Sequence, residues 1–194
     1  EKLKEIVDSE NETVKEYLFS LLAPNVDARL FEIVSYSILK YFFQNQTIYW
    51  GYEIEKIEKE NLKLYKTGRT NANDGGIDFV IQPLGRFFQV TETLDVTKYF
   101  LDIDKIERYP LTFIVKSNES SENLIEKLEQ NARKKYPIDV VVHSYMSCIE
   151  EIINIPELIK RLNTTIDNGY LKNILNEIIL QSKVEFHYDN DDPQ

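Results

Sequence analysis

The order of helical and extended patterns predicts an α/β protein, a mixed sheet flanked by helices and formed by one domain across all 194 residues. Three observations lead there. Helical periodicity fills the opening segment, three strand-like segments follow in succession up to Glu92, and beyond them apolar strands alternate with amphipathic helices. Strands begun by hairpins and continued by helical crossovers make a mixed sheet with helices on its faces.

Taken in order, Ser9-Glu10-Asn11-Glu12 has capping-box spacing, and Val14, Leu18, Leu21 and Leu22 repeat with helical period until Pro24 stops them. Asn25 or Asp27 caps the next helix. Its apolar residues Leu30, Ile33, Val34, Ile38, Tyr41 and Phe42 run nearly all the way round, the pattern of a central, buried helix. Glu32 is the exception, a carboxylate on an element that otherwise wants burial. After Thr47-Ile48-Tyr49-Trp50-Gly51, the stretch from Glu53 to Glu60 alternates Glu and Lys like a solvated face, and Asn61 to Lys66 alternates like a strand.

Residues 66–76 are dense in Gly, Asn and Asp and lead into the apolar Ile77 to Ile81. A tight connection at Pro83-Leu84-Gly85 then precedes a second strand ending at Thr91-Glu92. Asp95 or Thr97 opens a helix through Tyr99, Phe100, Ile103 and Ile106, closed before Pro110. Thr112 to Val115 is an apolar run of buried-strand type. Ser120 or Ser121 caps a helix with Leu124, Ile125, Leu128 and Ala132, ending in Arg133-Lys134-Lys135 and Pro137. Ile138 to His143 reads as a Val-rich strand. The remainder, about 146–183, reads as closing helices: Met146 to Ile153, Pro156 to Leu162, a break at Gly169, and Leu171 onward. An acidic tail, 188–194, looks frayed.

A net charge of -10 argues against a surface that is basic all over, though a locally positive cleft remains compatible with it. Twelve Tyr and ten Phe supply bulk for a core, and no apolar run approaches the roughly 20 residues that cross a bilayer. The expectation is a soluble, cytoplasmic protein with no membrane partner. One cysteine, Cys148, rules out an intramolecular disulfide and a thiolate metal cluster and fits a small core residue, while His143 and His187 are too few for a His-rich metal site.

The chemistry-bearing stretch is the hairpin. Paired strands run about 4.8 Å apart, so Asp78 at the start of one and Gln89 part-way along its neighbour can reach one small ion. Alternation puts Gln89, Thr91 and Thr93 on one face, and Val90 with Glu92 on the other. Gly75-Gly76-Ile77-Asp78, a short hairpin, and then Gln89-Val90-Thr91 resemble the signature of the PD-(D/E)XK nucleases, the restriction-endonuclease-like fold, in the type II restriction-enzyme branch that writes Gly-Gly-Ile-Asp and Gln-x-Lys. The resemblance covers roughly residues 25 to 145 and matches that family's αβββαβ core.

The resemblance implies a Mg²⁺-dependent endonuclease, with Mn²⁺ as a substitute ion, cutting double-stranded DNA, and it leaves open a homodimer. Asp78 falls on the metal-binding Asp, Gln89 on the second ligand, and the Val90 carbonyl follows from the family's geometry. Glu32 matches the outer carboxylate many members carry on the helix before the sheet. Thr91 stands where the family has its Lys. Three explanations are open: a lysine from elsewhere, with Lys66, Lys98 or Lys116 as candidates and Lys98 favoured by its place early on the following helix; a metal site working without one; or a relative that binds without cutting. Arg69, Thr70, Asn71 and Asn73 are placed to touch phosphate or base edges, joined by Arg86 and Lys66 in a local positive rim, with Asp74 a turn-former or an aid to the metal. The alternatives are a non-cleaving member of the fold that binds nucleic acid or a partner protein, and an acidic interaction domain whose hairpin merely resembles the motif.

Overall fold

The all-round apolar pattern of residues 30–43 becomes a central helix in the computed structural model, which describes residues 11–68 and 77–186. Helix α1 spans Asn11–Ser20 and buries Val14 and Leu18; Ser9, the other half of the expected capping box, lies outside the described residues. Helix α2 spans Ala28–Gln44. The Asp27 carboxylate accepts the Arg29 backbone N–H at 2.9 Å, satisfying one of the donors that a helix start leaves unpaired. From Phe31 to Leu39 every residue of α2 is buried, Glu32 included.

Two compact units account for the chain, one formed by Glu1–Leu64 with Leu158–Gln194 and the other by Tyr65–Glu157. In the first, α1 and α2 pack against the helix Leu171–Phe186 (α7), whose Glu177 accepts from Lys40 at 2.7 Å. The strands Thr47–Trp50 (β1) and Glu58–Asn61 (β2) form an antiparallel hairpin of their own, with a 3-10 turn at Ile54–Lys56. The segment expected as one strand from Asn61 to Lys66 is therefore broken at Leu62, where the chain leaves β2 and begins β3 (Lys63–Lys66).

The second unit is built on a five-stranded sheet, into which β3 carries the chain. Its order is β3, β4 (Phe79–Gln82), β5 (Arg86–Thr91), β6 (Leu111–Val115), β7 (Ile149–Ile153). β4 and β5 are antiparallel, turning at Gly85, whose φ of 72° is the left-handed region that glycine enters without steric cost. β5, β6 and β7 are parallel, and β6 is buried along its whole length, as a strand with parallel neighbours on both edges requires. Leu111, Phe113 and Val115 of β6 share a core with α3 (Val96–Lys105), α4 (Ser121–Lys135) and α5 (Asp139–Met146). Asp95 caps α3 through the Thr97 N–H at 2.9 Å, and Ser120 caps α4 through the Asn123 N–H at 3.2 Å. Helix α6 (Ile155–Asp167) follows β7.

The expected assignment of residues 138–153 is corrected in both halves. Ile138 precedes and Asp139 to His143 begin a helix: of these residues only Val142 is buried, packed with Leu128 and Ala132 of α4, while Val140 and His143 face solvent, so the alternation that a strand would show is absent. Of the expected helix Met146 to Ile153, only Met146 is helical, as the last residue of α5. The Ser147 N–H ends α5 on the His143 carbonyl, and Ile149–Ile153 fills the free edge of β6. Among the described residues no helix is long and apolar enough to cross a membrane.

Candidate functional site

The sheet's alternation explains how the hairpin presents polar groups. The Thr91 carbonyl accepts the Lys116 N–H on the β6 side, so the N–H and C=O of its neighbour Val90 point the other way, where β4 begins. The ladder has run out there. Asp78 donates its N–H to the Phe88 carbonyl, the residue already opposite Phe79, so the register slips by one at the start of β4. The Asp78 carboxylate then accepts the Val90 N–H at 2.6 Å, replacing the missing ladder bond with a charge-assisted one.

Gln89 completes the cluster. Its Nε2 lies 3.5 Å from the Val90 carbonyl, the outer limit of a hydrogen bond, and its Oε1 is buried with no partner among the described residues. Thr67 braces the same corner: its hydroxyl donates to the Ile77 carbonyl and its N–H to that of Asp78 at 3.0 Å. Asp78 and Gln89 thus both approach the Val90 backbone, one at its N–H and the other at its carbonyl.

The other predicted site residues fare differently. Thr91 turns back on its own chain, its hydroxyl donating to the Thr93 carbonyl and accepting the Thr93 N–H, both at 3.3 Å. Arg86 is not part of an available positive rim. Its guanidinium meets Glu150 at 3.2 Å and Glu151 at 2.5 Å, and donates to Thr112. Lys116 is held in an ion pair with Glu92 at 2.5 Å, just past the paired ends of β5 and β6. Lys98 is exposed on α3, where its charge acts on Asp102 one turn along. Lys66 is the half-buried last residue of β3. Glu32 is buried on α2 of the first unit, whereas Asp78 and Gln89 belong to the second. Arg69, Thr70, Asn71, Asn73, Asp74, Gly75 and Gly76 lie outside the described residues.

Comparison with known protein families, with curated proteins and with solved structures returned no significant match.

The donor set fits the ion that the resemblance implies. Mg²⁺ takes oxygen ligands, keeps several waters and needs only one or two carboxylates from protein. Asp78 offers a carboxylate, Val90 a carbonyl, and Gln89 an amide oxygen left unsatisfied in the interior, which a native fold normally avoids. Among the described residues no three His, Cys, Asp or Glu side chains gather to hold a metal.

A second orphan was not visible in the sequence. The Tyr99 hydroxyl is also buried without a partner among the described residues. Its ring stacks on Phe113 with centroids 4.1 Å apart, and Phe113 is the residue opposite Gln89 across the parallel ladder. Tyr99 and Gln89 therefore lie on the same face of the sheet. Burial, assisted by the charge of Asp102, pushes the Tyr99 phenol far above its ordinary range, so it stays a proton-bearing donor. The only sequence signal was helical spacing, which gives the same pattern for any core aromatic.

Proposed function

We propose that this chain is a Mg²⁺-dependent endonuclease of the restriction-endonuclease-like fold, acting on double-stranded DNA. What supports the reading most is the corner where Asp78 and Gln89 both reach Val90, with a buried amide oxygen left unpaired. The order of elements agrees with it: α2, then β3, β4 and β5, then α3 and β6, with an antiparallel pair passing to a parallel one.

Asp78, Gln89 Oε1 and the Val90 carbonyl would hold the ion. When bound, Mg²⁺ would supply positive charge to the phosphate and acidify a coordinated water. The Val90 N–H orients the Asp78 carboxylate, and Thr67 fixes the peptide ahead of it. Thr91 brings no cation to the reaction. The rate is accordingly expected to be low, by analogy with the ~10²–10³ lost with one preorganised oxyanion donor.

A second reading, a non-cleaving nucleic-acid-binding or protein-interaction member of the fold, is favoured by the occupied hydroxyl of Thr91 and the neutralised charge of Arg86. Supercoiled plasmid incubated with the protein and Mg²⁺ or Mn²⁺, beside Asp78→Asn, separates the two. Nicking or linearisation that needs the divalent ion and disappears in the variant supports the nuclease. DNA left intact by both proteins in either ion, with a gel shift retained, moves the assignment to the binding reading.

A further inference from the structure

The charged stretch from Glu53 to Glu60 does more than cover a solvated face. With the end of β1 it lines an open surface pocket of about 260 Å³, formed by Trp50, Gly51, Tyr52, Glu53, Lys56, Glu58 and Glu60. Trp50 stands opposite Glu58 across the β1–β2 ladder, and Glu60, two residues along, shares that face. The Trp50 Nε1–H donates to Glu60 Oε1 at 2.9 Å, fixing the indole. Tyr52 meets the indole edge to face, with centroids 4.9 Å apart at 71°, and is itself 92% exposed. Gly51 allows the closure, since a Cβ there would lie 2.3 Å from the Lys56 carbonyl.

Charge and shape together select the occupant. Three glutamates face one lysine, and that lysine is spent on Glu53 at 2.9 Å. Glu58 has no cationic partner among the described residues. Phosphate is repelled by such a rim, and an uncharged apolar ligand would leave the carboxylates unsatisfied. A cation that stacks on an aromatic ring and pairs with carboxylates satisfies both features, and of the protein cations the planar, weakly hydrated guanidinium does so best. The volume lies just below the range that takes a drug-sized ligand and suits one side chain.

We propose that this pocket receives an arginine side chain of a partner protein, its guanidinium against Trp50 and Tyr52 and its N–H groups on Glu58 and Glu60. The assignment is independent of the nuclease reading.

Trp50 is the sole tryptophan of the chain, so its fluorescence reports on this pocket alone. The full chain is titrated with acetyl-Gly-Arg-Gly-amide and, at matched ionic strength, with the same peptide carrying citrulline, the neutral near-isostere of arginine. The expected result is a saturable change with the arginine peptide, at least about tenfold tighter than with citrulline. Replacement of both carboxylates (Glu58→Gln with Glu60→Gln) should abolish that preference. Equal responses to the two peptides, a change that never saturates, or an arginine preference unaltered in the double variant overturns the proposal. The peptide comparison uses the unaltered protein and does not depend on how the variant folds.

Discussion

Asp78 is asked to do two things, and substitutions that separate them test the site. In the absence of metal its carboxylate caps the Val90 N–H at 2.6 Å, a bond to a charged acceptor worth about 1.5–3 kcal/mol. Asp78→Ala removes the acceptor and leaves the Val90 donor unpaired at a strand end, a loss of about 2 kcal/mol. Asp78→Asn keeps a neutral acceptor, worth about half as much, and should cost about 1 kcal/mol. Urea unfolding followed by circular dichroism, without divalent ions, measures both. Adding Mg²⁺ to ten times its dissociation constant should then stabilise the unaltered protein by about 1.4 kcal/mol and neither variant. If Asp78→Asn gains as much from Mg²⁺ as the unaltered protein, the carboxylate is no ligand and the nuclease reading falls. If both variants are as stable as the unaltered protein without metal, the Val90 cap contributes nothing.

Three further outcomes follow from buried polar groups. Lys40→Met strands the nearly buried Glu177, which among the described residues then keeps only the Gln181 amide at 2.8 Å, so about 3 kcal/mol should be lost in urea unfolding; adding Glu177→Leu should recover most of it. Tyr99→Phe removes a buried hydroxyl that has no partner among the described residues, and stability should stay level or rise by up to about 1 kcal/mol; a loss beyond that would mean the hydroxyl is bound. Burial holds the Asp102 carboxyl above its usual range, with Lys105 at 3.1 Å offsetting only part of it. The folded state thus binds that proton more tightly than the unfolded one, so stability should fall as pH rises past about 3.9 and through the raised value. Asp102→Asn should lose this dependence, with both proteins alike at pH 3 and the variant the more stable at pH 7.

Much of the fold was legible because it is written in local bonds. Asp27, Asp95 and Ser120 each stand before a helical pattern, and each caps it through a backbone N–H two or three residues on. The β4–β5 hairpin was legible from its alternation and from Gly85. Residues 138–153 were not, because two short β-branched runs compete for one place beside β6, and the choice between them is tertiary. The same misreading hid the partners of Arg86. Glu151, 65 residues away, lies on β7, and as long as that segment is read as helix nothing places a carboxylate beside the hairpin. Adjacency of Asp78, Val90 and Gln89 followed from strand pairing alone. The register slip that turns the Asp78 carboxylate onto the Val90 N–H did not, since bulges leave no mark in an alternating pattern.

The pairing of charges around β5 also constrains how DNA could be held. Arg86 is matched by Glu150 and Glu151, and Lys116 by Glu92, so these two cations of the β5–β6 region are balanced internally. In a chain of net charge -10, these two offer a duplex little unbalanced positive charge. The ion would then carry much of the attraction, bridging Asp78 to a phosphate. Two consequences can be measured by fluorescence anisotropy with a labelled duplex. Affinity should drop by tenfold or more when EDTA replaces Mg²⁺ or Ca²⁺. Its dependence on monovalent salt should also be shallow, because each protein cation that displaces a counterion adds about -0.9 to the log–log slope. A slope of about -2 or -3 agrees with an ion-bridged contact supplemented by a few basic residues. A slope near -8, undiminished in EDTA, would require an extended basic face and would show that the metal is not what brings DNA to this site.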